Sequence, residues 1–250
     1  MEKVYDEDVN VGEMLKNLLF PKMCLGCGKI GSYFCPNCSK QTSSLLRYDT
    51  ICPVCTKLAV GGATHPRCKT KYSPDGLITV FHYDGVIRKA IKMIKYRRTR
   101  DLVDDLSTIV TTTLRENKNK NRHLAFSKFA EINNPTIVAV PLFNTRKKER
   151  WFNQSEEIGK ALANKWNVEF QPDVLLKTIQ TKPQAGLKRE ERLKNIKGAF
   201  STNPNAQRLT PNSSLILFDD VWTTGATMRE CVNVLKRGGV RKVWCLTIAR

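Results

Sequence analysis

The stretch LILFDDVWTTGATM, residues 215–228, sets two carboxylates directly ahead of a turn rich in hydrogen-bond donors. Asp219 and Asp220 end an apolar run of strand type, and adjacent carboxylates repel unless a cation or a donor sits between them. Thr223, Thr224, Gly225, Ala226 and Thr227 follow at once and lead into a helical pattern. Glycine permits a tight turn, amides and hydroxyls supply donors, and a helix N-terminus adds partial positive charge, so this turn is suited to cradle a phosphate. Acceptors for sugar hydroxyls followed by donors for a phosphomonoester describe a ribose 5-phosphate site.

A second constellation lies upstream. CLGC supplies Cys24 and Cys27, CPNC supplies Cys35 and Cys38, CPVC supplies Cys52 and Cys55, and HPRC supplies His65 and Cys68. The turn between paired ligands aims both at one point, and soft thiolates with one imidazole favour zinc in closed, structural tetrahedra. Four such pairs predict two zinc ions. Sequential pairing, with Cys24, Cys27, Cys35 and Cys38 on one ion, is the simplest arrangement; a cross-braced one uses the same ligands. A segment this short buries too little apolar surface to fold alone, whereas structural zinc supplies about 10–16 kcal/mol of apparent binding free energy. Cys231 and Cys245 fall on apolar faces of a helix and a strand and read as core residues.

Elements able to hold these groups are visible in the hydrophobic periodicity. A strand, LITVFHY, precedes GVIRKAIKMIKY, where Ile87, Ala90, Ile91 and Ile94 recur at helical spacing and Arg88, Lys89, Lys92 and Lys95 take the other face. A second helix starts at about Asp101, with Leu102, Leu106, Ile109, Val110 and Thr113 on one side. ENKNKNRH reads as a charged surface loop, TIVAVP as a buried strand, and SEEIGKALANKW as a helix with Ile158, Ala161 and Leu162 inward. SLILFD is the continuous apolar strand that a parallel sheet buries on both faces. The helix ATMRECVNVLKR ends at Gly238-Gly239, and VWCLTIA closes the pattern. Strand, helix and strand with short joints make right-handed crossovers, so the fold class is α/β with a parallel sheet. The composition shift near Lys69 to Asp75 divides the chain into a double zinc module, residues 1–72, and a sheet domain, residues 73–250.

The 250 residues carry a net charge of +19 with an apolar fraction of 41%. Such charge points to polyanionic partners, nucleic acid or phosphorylated small molecules. The N-terminus has no signal-peptide pattern and no apolar run reaches bilayer-spanning length, which reads as a cytosolic protein. In a reducing compartment, clustered cysteines are metal ligands rather than disulfides.

LILFDDVWTTGAT resembles the phosphoribosyl pyrophosphate (PRPP) signature of type I phosphoribosyltransferases, and the chain from the cysteine module onward resembles the ComF family of competence-associated proteins. Three further blocks carry the likeness: PLFNTRKKERWFNQ, residues 141–154; TKPQAGLKREERLKNIKGAF, residues 181–200; and the basic KMIKY segment. The resemblance implies that Asp219 and Asp220 hold the ribose hydroxyls and help place magnesium, and that Thr223 to Thr227 bind the 5-phosphate. It also implies that Arg146 and Arg150 meet pyrophosphate, and that Thr181 to Lys197 form a flap from which Gln184, Lys188 and Arg192 close over the diphosphate. Trp151 stands where the family has glycine. Residues of about 76–130 are left to select an acceptor. The implied activity is phosphoribosyl transfer from PRPP in DNA uptake. The alternative is a binding module that uses PRPP only as a ligand. In it Arg88, Lys89, Lys92, Lys95, Arg97, Arg98 and Arg100 track single-stranded DNA, Tyr96 stacks on a base, or the zinc module docks a DNA-translocating ATPase.

Overall fold

The computed structural model describes residues 21–42, 50–96, 100–120, 129, 132, 134–145, 151–181, 189–204 and 214–250. Its main sheet has four parallel strands in the order β1 (Gly76–Phe81), β6 (Lys242–Ala249), β5 (Ser214–Val221), β2 (Thr136–Ala139). A small antiparallel ribbon, β3 (Leu175–Lys177) with β4 (Phe200–Thr202), stands apart. The helices are α1 (Pro36–Lys40), α2 (Gly85–Tyr96), α3 (Arg100–Lys120), α4 (Gln154–Trp166), α5 (Arg189–Ile196) and α6 (Ala226–Arg237). The α/β class expected from the hydrophobic periodicity is therefore the observed one.

Strand β5 is apolar throughout its centre because both of its faces are covered. Ile216 and Phe218 join one core with Ile87, Ile91 and Ile94 of α2, Leu102 and Leu106 of α3, and Ile158 of α4. Leu215 and Leu217, on the opposite face, join a second core with Met228, Cys231, Val232 and Leu235 of α6 and with Phe200 of the ribbon. Cys231 and Cys245 are fully buried there, and burial pushes both thiols above their ordinary range. They are core residues, as their positions on apolar faces predict.

Two local readings differ from the structure. The charged run after Leu114 continues α3 as far as Lys120 instead of leaving it at Glu116, since long polar side chains are solvated as readily on a helix as on a loop. The remainder of ENKNKNRH lies outside the described residues. In α4, Ala163 is buried whereas Ala161 is half-buried, a shift of the apolar stripe toward Gly159, which packs near Phe170 and Phe218. Helix α6 stops as the sequence predicts: the Val240 amide donates to the Leu235 carbonyl and the Gly239 amide to that of Lys236. Among the described residues no helix is long and apolar enough to cross a membrane.

Candidate functional site

Strand β5 carries Asp219 and Asp220 to the carboxyl edge of the sheet, beside the segment that follows β2. In parallel sheets this edge is where ligands bind. A cavity of about 420 Å³ opens there, bounded by both aspartates, by Val140 to Leu142 after β2, by Thr223 and Gly225 to Met228, and by the cations Lys95, Lys177 and Arg192.

Between β5 and α6 the chain must turn tightly around Trp222, which is buried. Gly225 takes a φ of 71°, and a Cβ added to it would overlap the Trp222 ring, so both conformation and close approach require glycine. The turn delivers the N-terminus of α6 into the cavity, with Thr223 exposed to it. The guanidinium of Arg229 braces the turn from below, donating to the Thr224 carbonyl at 2.8 Å and to the Pro53 carbonyl at 2.9 Å.

The two carboxylates differ in surroundings. Asp219 Oδ1 accepts from Ser155 Oγ at 2.9 Å and from the Asp220 amide at 2.9 Å. Burial and the neighbouring Asp220 charge outweigh these donors and raise Asp219 to about 7. Asp220 is buried, its Oδ2 lies 2.6 Å from Lys95 Nζ, and among the described residues that oxygen has no further hydrogen-bond partner. Burial disfavours the Lys95 ammonium, but the adjacent Asp220 carboxylate prevails and raises its pKa.

Lys95 thus belongs to the cavity and not to the outer face of α2, where its spacing with Arg88, Lys89 and Lys92 sets it. At the end of the helix its long stem reaches past Ile94 to the nearest carboxylate. Ser155 is a residue that the sequence reading missed. Asn153 caps α4 by accepting from the Ser155 amide at 3.0 Å, while its Nδ2 donates to the Val140 carbonyl at 3.0 Å. That cap ties α4 to the end of β2 and holds Ser155 against Asp219. The Asn at position 153 ahead of a helical pattern was the available signal. Trp151 adopts a φ of 63° and is exposed, so the position does take the left-handed backbone for which glycine is suited. Lys177, whose Nζ donates to Thr181 Oγ1 at 2.9 Å, is a second cation that the sequence reading did not select.

Of the other site residues, Arg146, Arg150, Gln184, Lys188, Arg97 and Arg98 lie outside the described residues, as does the side chain of Arg100. Arg88, Lys89 and Lys92 are exposed on α2, with Lys89 Nζ donating to the Leu25 carbonyl at 2.9 Å.

The cysteine region forms two ligand clusters. Cys24, Cys27, Cys35 and Cys38 make one, and Cys52, Cys55, His65 and Cys68 the other, with the ligand atoms of each within 4.8 Å of one another. The pairing is sequential, not cross-braced. Cys27 Sγ and Cys35 Sγ are 3.6 Å apart, and Cys55 Sγ lies 3.3 Å from His65 Nδ1. His65 Nε2 donates to the Leu58 carbonyl at 2.9 Å, which leaves the lone pair on Nδ1 facing the sulfurs, the tautomer a metal needs. Burial works against the Cys24 thiolate, but amides of the Gly26, Cys27 and Cys35 backbone bring it down to about 6. The Cys38 thiol donates toward the Cys35 and Cys24 sulfurs, which pushes it up to about 12. Donor type, spacing and the second-sphere bond of His65 all fit zinc.

Comparisons with known proteins find relatives along about nine-tenths of the chain. The chain is 29% identical over 235 residues to the DNA utilization protein YhgH of Escherichia coli (strain K12), an overlap of 90% of this chain and 93% of the relative. It is 25% identical over 228 residues to Competence protein F of Haemophilus influenzae, covering 91% and 90%, and 24% identical over 238 residues to Competence protein ComFC of Bacillus subtilis (strain 168), covering 92% and 84%. Over about nine-tenths of its length the chain is therefore similar to proteins named for DNA utilization and competence, in line with its ComF resemblance. No family model matches the sequence.

Proposed function

We propose that the cavity at the carboxyl edge of β5 binds PRPP with magnesium, and that the protein is a phosphoribosyltransferase-like component of DNA uptake. The observation that carries this reading is the joint at 219–227: a carboxylate pair, a glycine turn and a helix N-terminus opening into one cavity lined by Lys95, Lys177 and Arg192. Asp219 and Asp220 accept from the ribose hydroxyls, and Thr223 to Thr227 donate to the 5-phosphate. The three cations balance the diphosphate, together with Arg146, Arg150, Gln184 and Lys188 on the strength of the family resemblance. The donor set also fits magnesium, since two hard carboxylates line one cavity and a cation there would offset the burial and mutual repulsion that raise Asp219; when bound, the ion supplies charge stabilisation for the departing pyrophosphate. Cleavage at the anomeric carbon passes through an oxocarbenium-like state, so the work left to these side chains is to orient, neutralise and exclude water. Residues 1–72 act as the metal-stabilised part and 73–250 as the PRPP-binding part.

Calorimetric titration with magnesium and PRPP tests the assignment. The parent protein binds, and Asp219→Asn with Asp220→Asn weakens affinity by about tenfold or more, the scale of one lost hydrogen bond to a charged group. Equal affinities in parent and variant reject it.

A second reading is favoured by the exposed face of α2, where Arg88 and Lys92 are solvent-facing and Tyr96 is 77% exposed. Relatives named for DNA utilization and competence support single-stranded DNA as the polyanion bound there. Phosphate contacts release counterions, giving a log-log salt slope of about 0.7 per phosphate on a single strand. Replacing Arg88 and Lys92 with alanine, with Lys95 kept, lowers affinity and slope while PRPP binding persists; an unchanged slope assigns the face to solvation alone.

A further inference from the structure

Two buried pairs of lysine and carboxylate in this chain are built differently. Lys236 Nζ donates to Asp75 Oδ2 at 2.7 Å and to the Arg241 carbonyl at 2.7 Å, and the Val243 amide donates to the same carboxylate oxygen at 2.8 Å. Backbone groups serve both partners, so this pair is fixed. Lys95 Nζ lies 2.6 Å from Asp220 Oδ2, with side chains 21% and 6% exposed. Among the described residues that oxygen has no further hydrogen-bond partner, and no second acceptor holds the Lys95 ammonium.

Position explains why the second pair can open. Lys95 is the penultimate residue of α2 and lines both the cavity proposed for PRPP and a second one of about 570 Å³, which Ile51 and Thr56 of the Cys52 knuckle border. Its side chain therefore has open space on two sides, and a lysine carries its charge on a flexible stem, strongly hydrated once released. The neighbouring carboxylate is held otherwise: Asp219 Oδ1 accepts from Ser155 Oγ on α4 and from the Asp220 amide on β5. Of the two acids, one is held by fixed donors and the other by a movable cation. Asp220 is only 5% exposed, so without Lys95 it is an uncompensated buried charge, and whatever displaces the ammonium has to bring a cation.

We propose that Lys95 is a displaceable counter-ion: it holds Asp220 in the ligand-free chain, yields that carboxylate to magnesium arriving with PRPP, and turns its ammonium to the diphosphate. The proposal rests on the reading of the first cavity as a PRPP and magnesium site, and adds an order of binding to it. A divalent ion alone has to evict the ammonium from a buried carboxylate with no acceptor to receive it. Magnesium is commonly bound through one or two carboxylates together with substrate phosphates, so PRPP supplies both the remaining ligands and the new partner of Lys95. Metal and PRPP then raise each other's affinity, by linkage to the same factor. Lys177 lines the same cavity and donates to Thr181 Oγ1, which makes it the control for charge alone.

The experiment uses the zinc-loaded full chain and manganese as the spectroscopic probe for magnesium, with the free ion counted by electron paramagnetic resonance, alone and with PRPP. The parent binds manganese weakly without PRPP, and Lys95→Met binds it about tenfold or more tightly, within the usual range of a coupling between sites. The enhancement of metal binding by PRPP shrinks by at least that factor. Lys95→Gln behaves as Lys95→Met does, whereas Lys177→Met, which removes one charge from the same cavity, tightens manganese by less. Metal-alone affinity in Lys95→Met equal to the parent's or weaker overturns the proposal, as does equal tightening in Lys177→Met, which makes net charge the cause. Thermal unfolding covers the case in which the neutral variants are unstable. Magnesium alone brings their melting temperature back toward the parent's; variants that stay unfolded with or without magnesium overturn the proposal, because the ion then cannot take the place of Lys95. Tighter metal binding in Lys95→Met with no PRPP binding by any form overturns the reading of the first cavity and leaves Lys95 as the counter-ion of a cation site.

Discussion

In the first metal knuckle an antiparallel bridge pairs Met23 with Ile30, and in the second the same bridge pairs Ile51 with Leu58. The offsets match throughout: the Gly28 amide donates to the Cys24 carbonyl and the Thr56 amide to that of Cys52, and both residues have positive φ, 78° and 63°. Their seats differ. In the first, Met23, the counterpart of Ile51, is 54% accessible, and the knuckle rests on α2 through Leu25, whose carbonyl takes the Lys89 ammonium. In the second, Ile51 is buried in the core beneath α6, and Arg229 joins its Pro53 carbonyl to the phosphate turn at Thr224. One covalent pattern therefore performs two tasks, and the contacts around each knuckle, not its ligands, decide which. Metal in the second knuckle should be felt at the cavity proposed for PRPP; metal in the first should be felt at α2.

The most damaging test of that contrast removes ligands. Cys52→Ser with Cys55→Ser should release one zinc and weaken PRPP binding by about tenfold or more through the lost Arg229 brace. Cys24→Ser with Cys27→Ser should release the other zinc and leave PRPP affinity near the parent value. Zinc analysis beside calorimetry reads both, and equal losses of affinity would abolish the distinction. Arg229→Ala keeps both metals and cuts only the brace, so it should cost roughly 1–2 kcal/mol of PRPP affinity, less than ligand removal, because the Pro53 carbonyl can regain water. An affinity equal to the parent's would show that the brace does not transmit.

A pH series probes the cavity end of the same connection. Asp219, raised to about 7, holds a proton in the folded chain between pH 4 and 7 that the unfolded chain has lost. Its contribution to stability therefore falls as pH rises across that window, while its ability to accept from ribose hydroxyls grows. Affinity for PRPP should strengthen toward pH 8. Ser155→Ala removes a donor that stabilises the carboxylate, so the midpoint should move upward relative to the parent, with the ligand's own titration common to both. An unmoved midpoint would remove Asp219 from the binding equilibrium.

The smallest effect concerns the matched positions 28 and 56. A left-handed backbone costs a side-chain-bearing residue about 1–2 kcal/mol, and glycine's extra freedom in the unfolded chain takes back about 0.5–1. Thr56→Gly should thus stabilise the chain by less than about 1 kcal/mol, read as a small rise in melting temperature, and make the second knuckle's turn equivalent to the first. A fall would mean that the Thr56 hydroxyl, which donates to the Cys55 carbonyl at 2.7 Å, outweighs the strain.

Much of this molecule was legible in its residues because the signals are local. Ile87, Ala90, Ile91 and Ile94 announce a helix by their spacing, and all four are buried. The eight ligands announce two tetrahedra because each pair lies within one turn of chain. Asp219, Asp220 and most of the 223–227 turn announce one site because strand, turn and helix are contiguous, and they line one cavity. Lys95 was misjudged for the opposite reason. Helical periodicity assigns a face, but a lysine at a helix end reaches whichever carboxylate the fold brings near, and Asp220 lies more than a hundred residues away in sequence. Ser155 was passed over likewise, since a serine after an N-cap has no local mark of the aspartate it will hold.

The amino-acid sequence by itself thus determined the α/β class and the two groups of residues able to hold a metal, properties set within a few residues by covalent geometry and hydrophobic period. Only the tertiary structure decided that the ligands pair sequentially, that Lys95 enters the cavity, that Arg229 joins one knuckle to the phosphate turn, and that the same knuckle borders a second cavity. Each of these depends on groups distant in the chain meeting in space, and long-range contacts are set by how the sheet and its two cores pack, not by any pattern local to the residues that make them.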